Sequence, residues 1–466
     1  MNKFSPTAAH DLYNESLRPI EVSDRTTSPF GMGIVWFGMG VQLTCFKALA
    51  PLLSCYTIGE VALVSFLGQA LLIILGFIVW DIGLKYGISF ATSITASFGP
   101  FGGKVVGVLR VVPGLFFLGI NGYMGAAALN EVGKLVLGFD NLWVWIIINM
   151  ALLAYCTIHG TKGIEIFSTL ATPLLVIVMG YLAVTVFTEY KVSLSDVMPM
   201  GLTGTPRSLV YGICVTVGGY ASVLVGMNDY GKDLKTSEEE IQKGWWARNK
   251  KYFSWSLILG VLGYTAICTL AVICVTLTGT TNPLPAISQM MSKTSVLLAV
   301  VVQLFIFAAQ FSTNVGANIY PAVYVVCSLA PKYIKAPVAA FSFAGLAVIL
   351  RTWEMTNIDA VMNVFASTVG PIFAVVVVDY YVFRHMNFSL DDIYKTHGKY
   401  YYWHGFNIPA MIVCIFGTSI ALMFPDYGLI VGIIISCILY YVLVKFVFAK
   451  KMPVLVSEET TAQRKE

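Results

Sequence analysis

Phe307-Ala308-Ala309-Gln310-Phe311-Ser312-Thr313-Asn314-Val315-Gly316-Ala317-Asn318 sets five hydrogen-bonding side chains, Gln310, Ser312, Thr313, Asn314 and Asn318, inside an apolar run from Leu297 to Val325. Such a run is long enough to cross a bilayer as a helix. Lipid offers polar groups no partners, so side chains of this kind at membrane depth face a cavity, a ligand or another helix. The segment therefore reads as one wall of a transport site.

The rest of the chain supplies the membrane setting. Hydrophobic residues make up 57% of it and charged residues 12%, against roughly 25% charged in an average soluble domain. Apolar stretches long enough to span lie at 29–50, 57–83, 104–135, 142–160, 164–188, 207–230, 252–278, 295–329, 335–352, 357–383, 403–424 and 427–448. Between them stand polar residues, Gly and Pro. The expectation is an all-α polytopic membrane protein of about twelve transmembrane helices. The first 27 residues are polar and of mixed charge, and they read as a tail rather than a signal peptide. The nine cysteines sit mostly inside apolar runs, where they read as small packing residues rather than a disulfide framework.

An even number of spans puts both termini on one side. Arg18, Arg25, Lys85, Lys104, Lys232, Lys235, Arg248, Lys250, Lys251, Lys332, Lys335, Arg384, Lys395, Lys450, Lys451, Arg464 and Lys465 fall in the tails and in loops on that side. The other side has little beyond Lys47, Lys134, Lys191, Arg207, Lys293 and Arg351. By the positive-inside rule both termini are cytoplasmic, in a cell membrane. The same bias accounts for the net charge of +4 without a nucleic-acid partner.

Glycine placement adds a second signal. The first span contains Gly31, Gly33, Gly38 and Gly40 followed by Gln42, and the sixth contains Gly218-Gly219-Tyr220, Gly226 and Asn228-Asp229. Interrupted spans at matching positions of two halves point to a site built from broken helices, although small residues also serve close helix packing. The two spans head two five-helix units. This predicts residues 1–28 as a tail, 29–188 as the first repeat, 189–383 as the second, 384–449 as two peripheral helices and 450–466 as a second tail.

Unwound backbone at Gly38 and Val41 exposes carbonyl oxygens, Ala309 adds another, and Ser312 and Thr313 bring hydroxyls. Five neutral oxygens suit a sodium ion, which trades its water shell for carbonyl dipoles and hydroxyls. The alternative for the two hydroxyls is bonding to the preceding helical turn. Asn314 and Asn318, four apart, share a helix face. Asparagine offers donors and an acceptor that match the amide edge of a nucleobase or hydantoin-like ring. Phe117 and Tyr220 are placed to sandwich such a ring while Asn121 and Asn318 read its edge, with ordinary packing and interhelical bonding as the plainer readings.

The run Ala309-Gln310-Phe311-Ser312-Thr313-Asn314 followed by Asn318 resembles the eighth-helix signature of the nucleobase:cation symporter-1 family, the hydantoin, allantoin, cytosine, uracil and purine permeases. Further likeness lies in Lys85-Tyr86-Gly87-Ile88-Ser89-Phe90 through Ala96-Ser97-Phe98-Gly99, Arg110, Asn228-Asp229-Tyr230, Gly370-Pro371, Asp379-Tyr380-Tyr381 and Gly405-Phe406-Asn407. The resemblance implies a leucine-transporter-type fold, with ten helices in two inverted repeats and two further helices, working by alternating access. It also implies substrate contacts at Gln42, Phe117, Asn121, Gly219, Tyr220 and Asn318. The sodium site it implies is formed by Gly38, Val41, Ala309, Ser312 and Thr313. Where the hydantoin permease type has tryptophans this chain has Phe117 and Tyr220, and where glutamine is usual it has Asn121. Asn363, on the tenth span, either adds a polar contact to the substrate or ties helices together.

The expected function is cation symport of a neutral planar ring compound. No cofactor is expected beyond the coupling ion. Proton coupling and an amino-acid transporter of the same fold are the alternatives. Asp229 is expected to pair with Lys232 three residues on rather than to carry protons. An enzyme is disfavoured because the five histidines are scattered near loop ends.

Overall fold

The computed structural model describes residues 6–7, 9–280, 296–355 and 358–448. Lys3, the 281–295 segment with Lys293, and the 449–466 tail with its four basic residues lie outside the described residues. All regular structure among the described residues is helical, with only isolated β-bridges besides.

Twelve spans follow one another among the described residues. They are α1 (Pro29–Gly40, resumed after a break by Cys45–Leu49), α2 (Ile58–Tyr86), α3 (Pro100–Val132), α4 (Leu142–Thr157), α5 (Gly160–Glu189) and α6 (Leu209–Gly218, resumed by Ala221–Val225). Then come α7 (Trp245–Thr278), α8 (Val296–Thr313, carried on to Leu329), α9 (Ala336–Leu350), α10 (Ile358–Val377), α11 (Ile408–Leu422) and α12 (Gly428–Val442). Among the described residues eight of these helices are long and apolar enough to cross a membrane, and α4, α6 and α11 are shorter apolar helices. Local chemistry sets the ends. Ser28 accepts the Gly31 N–H ahead of Pro29 to start α1. Thr57 and Glu60 form a reciprocal capping box at the start of α2, and Gly87, with φ of 69°, closes it by donating to the Gly83 carbonyl.

Helix contacts repeat under an exchange of each span with the one five places on. α1 packs on α7 as α6 packs on α2. α5 lies against α1 as α10 lies against α6. α3 meets α8, α4 meets α9 and α2 meets α7, pairs that the exchange maps onto themselves. This is the contact pattern of two intertwined repeats. α11 and α12 stand outside it, packed on each other and on α10.

The two faces are also sorted. The N-terminal tail bonds to the ends or following loops of α2, α6, α8 and α10: Ile20 N–H to Gly87 O (2.9 Å), Thr27 N–H to Asp233 O (3.1 Å), Asn14 Nδ2 to Ile334 O (2.7 Å) and Leu12 N–H to Tyr394 O (3.0 Å). On the opposite face, the end of α1 is joined to the segment before α6 by Tyr56 Oη donating to Ser208 O, and Arg207 pairs with Asp426 between α11 and α12. Every loop after an even span that the tail touches therefore shares one face with it.

Buried ion pairs lock the helices on the tail side. Asp81 of α2 receives Arg248 of α7 at 2.6 Å and Asn249 Nδ2 at 2.7 Å. Asp379 receives Arg384 at 2.7 Å and Ser97 Oγ at 2.8 Å. Asp229 corrects the sequence expectation: its partner is Arg110 of α3, at 2.8 Å, while Lys232 pairs with Asp233 at 2.9 Å. Sequence neighbours attract attention, but three residues on from Asp229 the chain has turned Lys232 towards Tyr324, where its ammonium stands over the ring.

Candidate functional site

Three interrupted elements meet inside the bundle. In α1 the helix stops at Gly40, Val41 takes φ −78° and ψ 84°, and the chain runs through Gln42 to Thr44 before turning helical again. In α6 the stop is at Gly218, and Tyr220, with φ −119° and ψ 24°, separates the two halves. Glycine is required at Gly218, because a Cβ there would stand 2.7 Å from the Met362 carbonyl oxygen of α10. In α8 the residues Asn314–Ile319 form a wide π turn, a device frequent at functional sites, which in this chain also occurs at Gly133–Leu137, Val378–Phe383 and Leu443–Val447. The stretch that first marked this helix as unusual is thus irregular in backbone as well as in polarity.

One cluster joins α1, α3, α6 and α8. Tyr220 Oη donates to the Met39 carbonyl (2.8 Å) and accepts from Gln42 Nε2 (2.9 Å). Gln310 Oε1 accepts from the Leu43 N–H in the α1 break (2.8 Å), and its Nε2 donates to Asn121 Oδ1 (3.1 Å). Thr44 Oγ1 also reaches Asn121 Oδ1. Asn318 Nδ2 donates to Asn314 Oδ1 (2.7 Å), and Asn314 Nδ2 to the Leu118 carbonyl of α3 (3.3 Å). Residues four apart are neighbours on a helix surface, which allows the close Asn318–Asn314 bond. Asn314, given no role by its position in the sequence, is the link that fixes Asn318 to α3.

The expected substrate residues gather here unequally. Gln42, Asn121, Tyr220 and Asn318 belong to the cluster and are buried. Gly219 lies in the α6 break beside Met362 Cε. Phe117 is buried on α3 one turn before Asn121, its ring edge-on to Phe116 at 5.3 Å, while Tyr220 is edge-on to Tyr264 at 5.6 Å. Asn363 of α10 is half-buried, and its Oδ1 has no hydrogen-bond partner among the described residues. That open oxygen counts against a purely interhelical role for it. Asn121 Nδ2 is likewise buried and unpaired.

Beside this cluster lies a cage of neutral oxygens. Ser312 Oγ stands within hydrogen-bond distance of both the Gly38 carbonyl (2.9 Å) and the Ala309 carbonyl (3.1 Å). Thr313 Oγ1 stands likewise between Met39 O (3.2 Å) and Ala309 O (3.1 Å). Each hydroxyl, with a single proton, can therefore donate either back to its own helix or across to α1. Val41, at the exit of the α1 helix, is buried and out of helical geometry. Two residues that sequence reasoning passed over belong here. Gln310 was visible as the first of three amides spaced by four; Ser168 of α5, whose buried hydroxyl has no partner among the described residues and stands beside Gly38, carried no such signal.

Comparisons with known proteins agree with this architecture. Residues 19–443 match the model of a family described as permease for cytosine/purines, uracil, thiamine and allantoin. The chain is 28% identical to the hydantoin permease of Microbacterium maritypicum over 469 residues, which covers 99% of this chain and 94% of that protein. Mhp1, a nucleobase-cation-symport-1 family transporter, superposes in a closed conformation with bromovinylhydantoin bound at a TM-score of 0.91, with 27% identity over 96% of this chain and 98% of that chain. Its inward-facing conformation gives 0.85, at 26% identity over 97% and 98%. The structure is thus nearer the closed form.

Proposed function

The chain belongs to the family of permeases for cytosine/purines, uracil, thiamine and allantoin, a membrane transporter of leucine-transporter-type fold and not an enzyme, and from that premise we propose that it takes up a neutral planar ring, a nucleobase, hydantoin or allantoin, by sodium symport. The observation that carries this reading is the amide cluster. Asn121, Gln310, Asn314 and Asn318 are buried on α3 and α8 against the α1 break, with neutral side chains throughout. A neutral ring with N–H and C=O groups fits such a lining, whereas a zwitterionic amino acid needs charge compensation.

In this reading Phe117 and Tyr220 flank the ring, Gln42, Asn121, Gly219, Asn318 and Asn363 meet its edge, and the oxygens of Gly38, Val41, Ala309, Ser312 and Thr313 hold sodium. The two hydroxyls that bridge Gly38, Met39 and Ala309 carbonyls support the ion assignment, since rotating them turns their lone pairs towards a cation held between α1 and α8. That placement couples ion to substrate: a cation that draws α8 onto the α1 break also draws Gln310 onto Leu43. Asp229, tied to Arg110 and to the Phe90 N–H (2.8 Å), serves as a structural link between α3, the segment after α6 and the short helix that begins at Phe90. The basic residues on the tail face support cytoplasmic termini in a cell membrane, and the exchange of helix contacts supports repeats at 29–188 and 189–383.

The test is a thermal-shift screen of the purified protein against purines, pyrimidines, hydantoins and allantoin, with and without sodium, because a bound ligand raises the melting temperature. Asn318→Ala abolishes uptake of the ring so found, and Thr313→Ala weakens its stimulation by sodium. Undiminished uptake by Asn318→Ala in proteoliposomes contradicts the substrate assignment, and uptake driven equally by a proton gradient without sodium contradicts the ion.

A further inference from the structure

Side-chain amides can face either way, but backbone groups cannot exchange donor for acceptor. Two backbone groups anchor the amides of this site. The Leu43 N–H can only donate, so it fixes Gln310 with Oε1 towards α1 and Nε2 towards Asn121. Asn121 must then offer Oδ1 to Gln310, which leaves its Nδ2, buried and unpaired, as the group open to a ligand. The Leu118 carbonyl can only accept, so it fixes Asn314 with Nδ2 towards α3 and Oδ1 towards Asn318. Asn318 donates its Nδ2 to Asn314 and keeps its oxygen for what lies against it.

Thr44 does not decide the matter. Its hydroxyl stands between Gln42 Oε1 (3.3 Å) and Asn121 Oδ1 and can rotate to donate to one while accepting from the other. It therefore tolerates either face of Asn121. Gln310, clamped by a backbone N–H, tolerates only one.

We propose that Gln310 is a positioning residue that sets the hydrogen-bond polarity of the ring site, so that Asn121 offers an N–H and Asn318 an oxygen, and that the substrate is a ring presenting an amide edge, its C=O to α3 and its N–H to α8. This rests on the ring-transport reading above. It goes further by naming which polar group each side of the site requires.

Gln310→Met tests it without adding a charge. The thioether keeps the length of the side chain but cannot clamp Asn121, whose other partner Thr44 tolerates either face. Binding of radiolabelled uracil and cytosine to the purified full chain in sodium is compared, because cytosine puts an amino donor and a ring-nitrogen acceptor where uracil has a C=O and an N–H. The wild type is expected to favour uracil by about tenfold or more, the scale of one misplaced buried hydrogen bond, and Gln310→Met to lose most of that preference. A wild type that binds cytosine at least as well as uracil, or a Gln310→Met that keeps the wild-type preference, overturns the proposal. Should that variant not fold, Asn121→Leu serves: it removes the N–H, and an undiminished preference for uracil overturns the proposal equally. If the wild type binds no ring at all, the ring-transport reading itself has failed; if it binds and both variants match it, only the polarity has.

Discussion

At the scale of single residues, the most consequential pair outside the site is Arg110 with Asp229. Both are buried, and the guanidinium also stands over the Phe90 ring at 4.6 Å. Gly226 makes room for it, since any Cβ there would run into the Arg110 guanidinium. Removing one partner leaves the other charge uncompensated, so Arg110→Met should cost about 3–5 kcal/mol, whereas Arg110→Met with Asp229→Asn should recover much of it. Melting temperatures of the two variants in detergent check this, and equal destabilisation of both removes the pair from the account. The sequence could not show this partnership, because the helix that carries Arg110 and the short helix Asn228–Gly231 that carries Asp229 meet only in the folded bundle. The same holds for Asn314, whose role depends on the Leu118 carbonyl across the α3–α8 contact. Gln310, Asn314 and Asn318 were readable as one helix face; what that face touches was not.

At the scale of elements, α2 receives α6 along a row of glycines. Gly68 faces Thr216, Gly76 faces Met227 and Gly83 faces the backbone of Asn228, with Lys232 N 2.8 Å from a Cβ built there. Met227 is a flexible side chain that can move aside, but the Asn228 backbone cannot, so the row is least tolerant at Gly83. Gly83→Ala is expected to lower stability by about 1–3 kcal/mol, the cost of overpacking, and Gly76→Ala by less. A thermal melt in which the order is reversed would show that the helices slide past each other. Apolar runs and punctuation located these spans within a few residues, and the glycines marked the breaks in α1 and α6. The π turn in α8 was not legible, since the bonds made along it, from Tyr230 Oη to the Gly316 carbonyl (2.8 Å) and from Asn314 Nδ2 to the Leu118 carbonyl, involve other helices. The tail adds a pH dependence. Hydrogen bonds from Lys395 and His10 hold the exposed Asp391 carboxyl below the usual carboxylate range. Its share in anchoring the tail is therefore complete at neutral pH and lost only as pH falls through that lowered value. Proteolysis within residues 10–27 should accelerate there, and Asp391→Asn should show the faster cleavage already at neutral pH.

For the whole molecule, the tail crosses one face of the bundle, a face that has to open in the proposed transport cycle. It bonds to the end of α2 through Arg25 Nη1 and the Leu84 carbonyl (2.5 Å), and to the α8–α9 loop through Asn14 Nδ2 and the Pro331 and Ile334 carbonyls (both 2.7 Å). These anchors sit on helices of opposite repeats, since α2 belongs to the first five spans and α8 to the second. Rocking of one repeat against the other must stretch or release that connection, and a structure nearer the closed form than the inward-facing one keeps it intact. A disulfide between Asn14→Cys and Ile334→Cys, in a chain whose nine native cysteines are replaced, makes the connection permanent. Uptake into proteoliposomes should then stop under oxidation and return with reductant, while binding of the ring in detergent persists, because the cluster around Gln310 is already assembled. Uptake that continues with the bridge closed would mean that the tail rides with the α8–α9 loop as one body and that opening occurs on its α2 side, where Arg25→Ala should then be the variant that changes the rate.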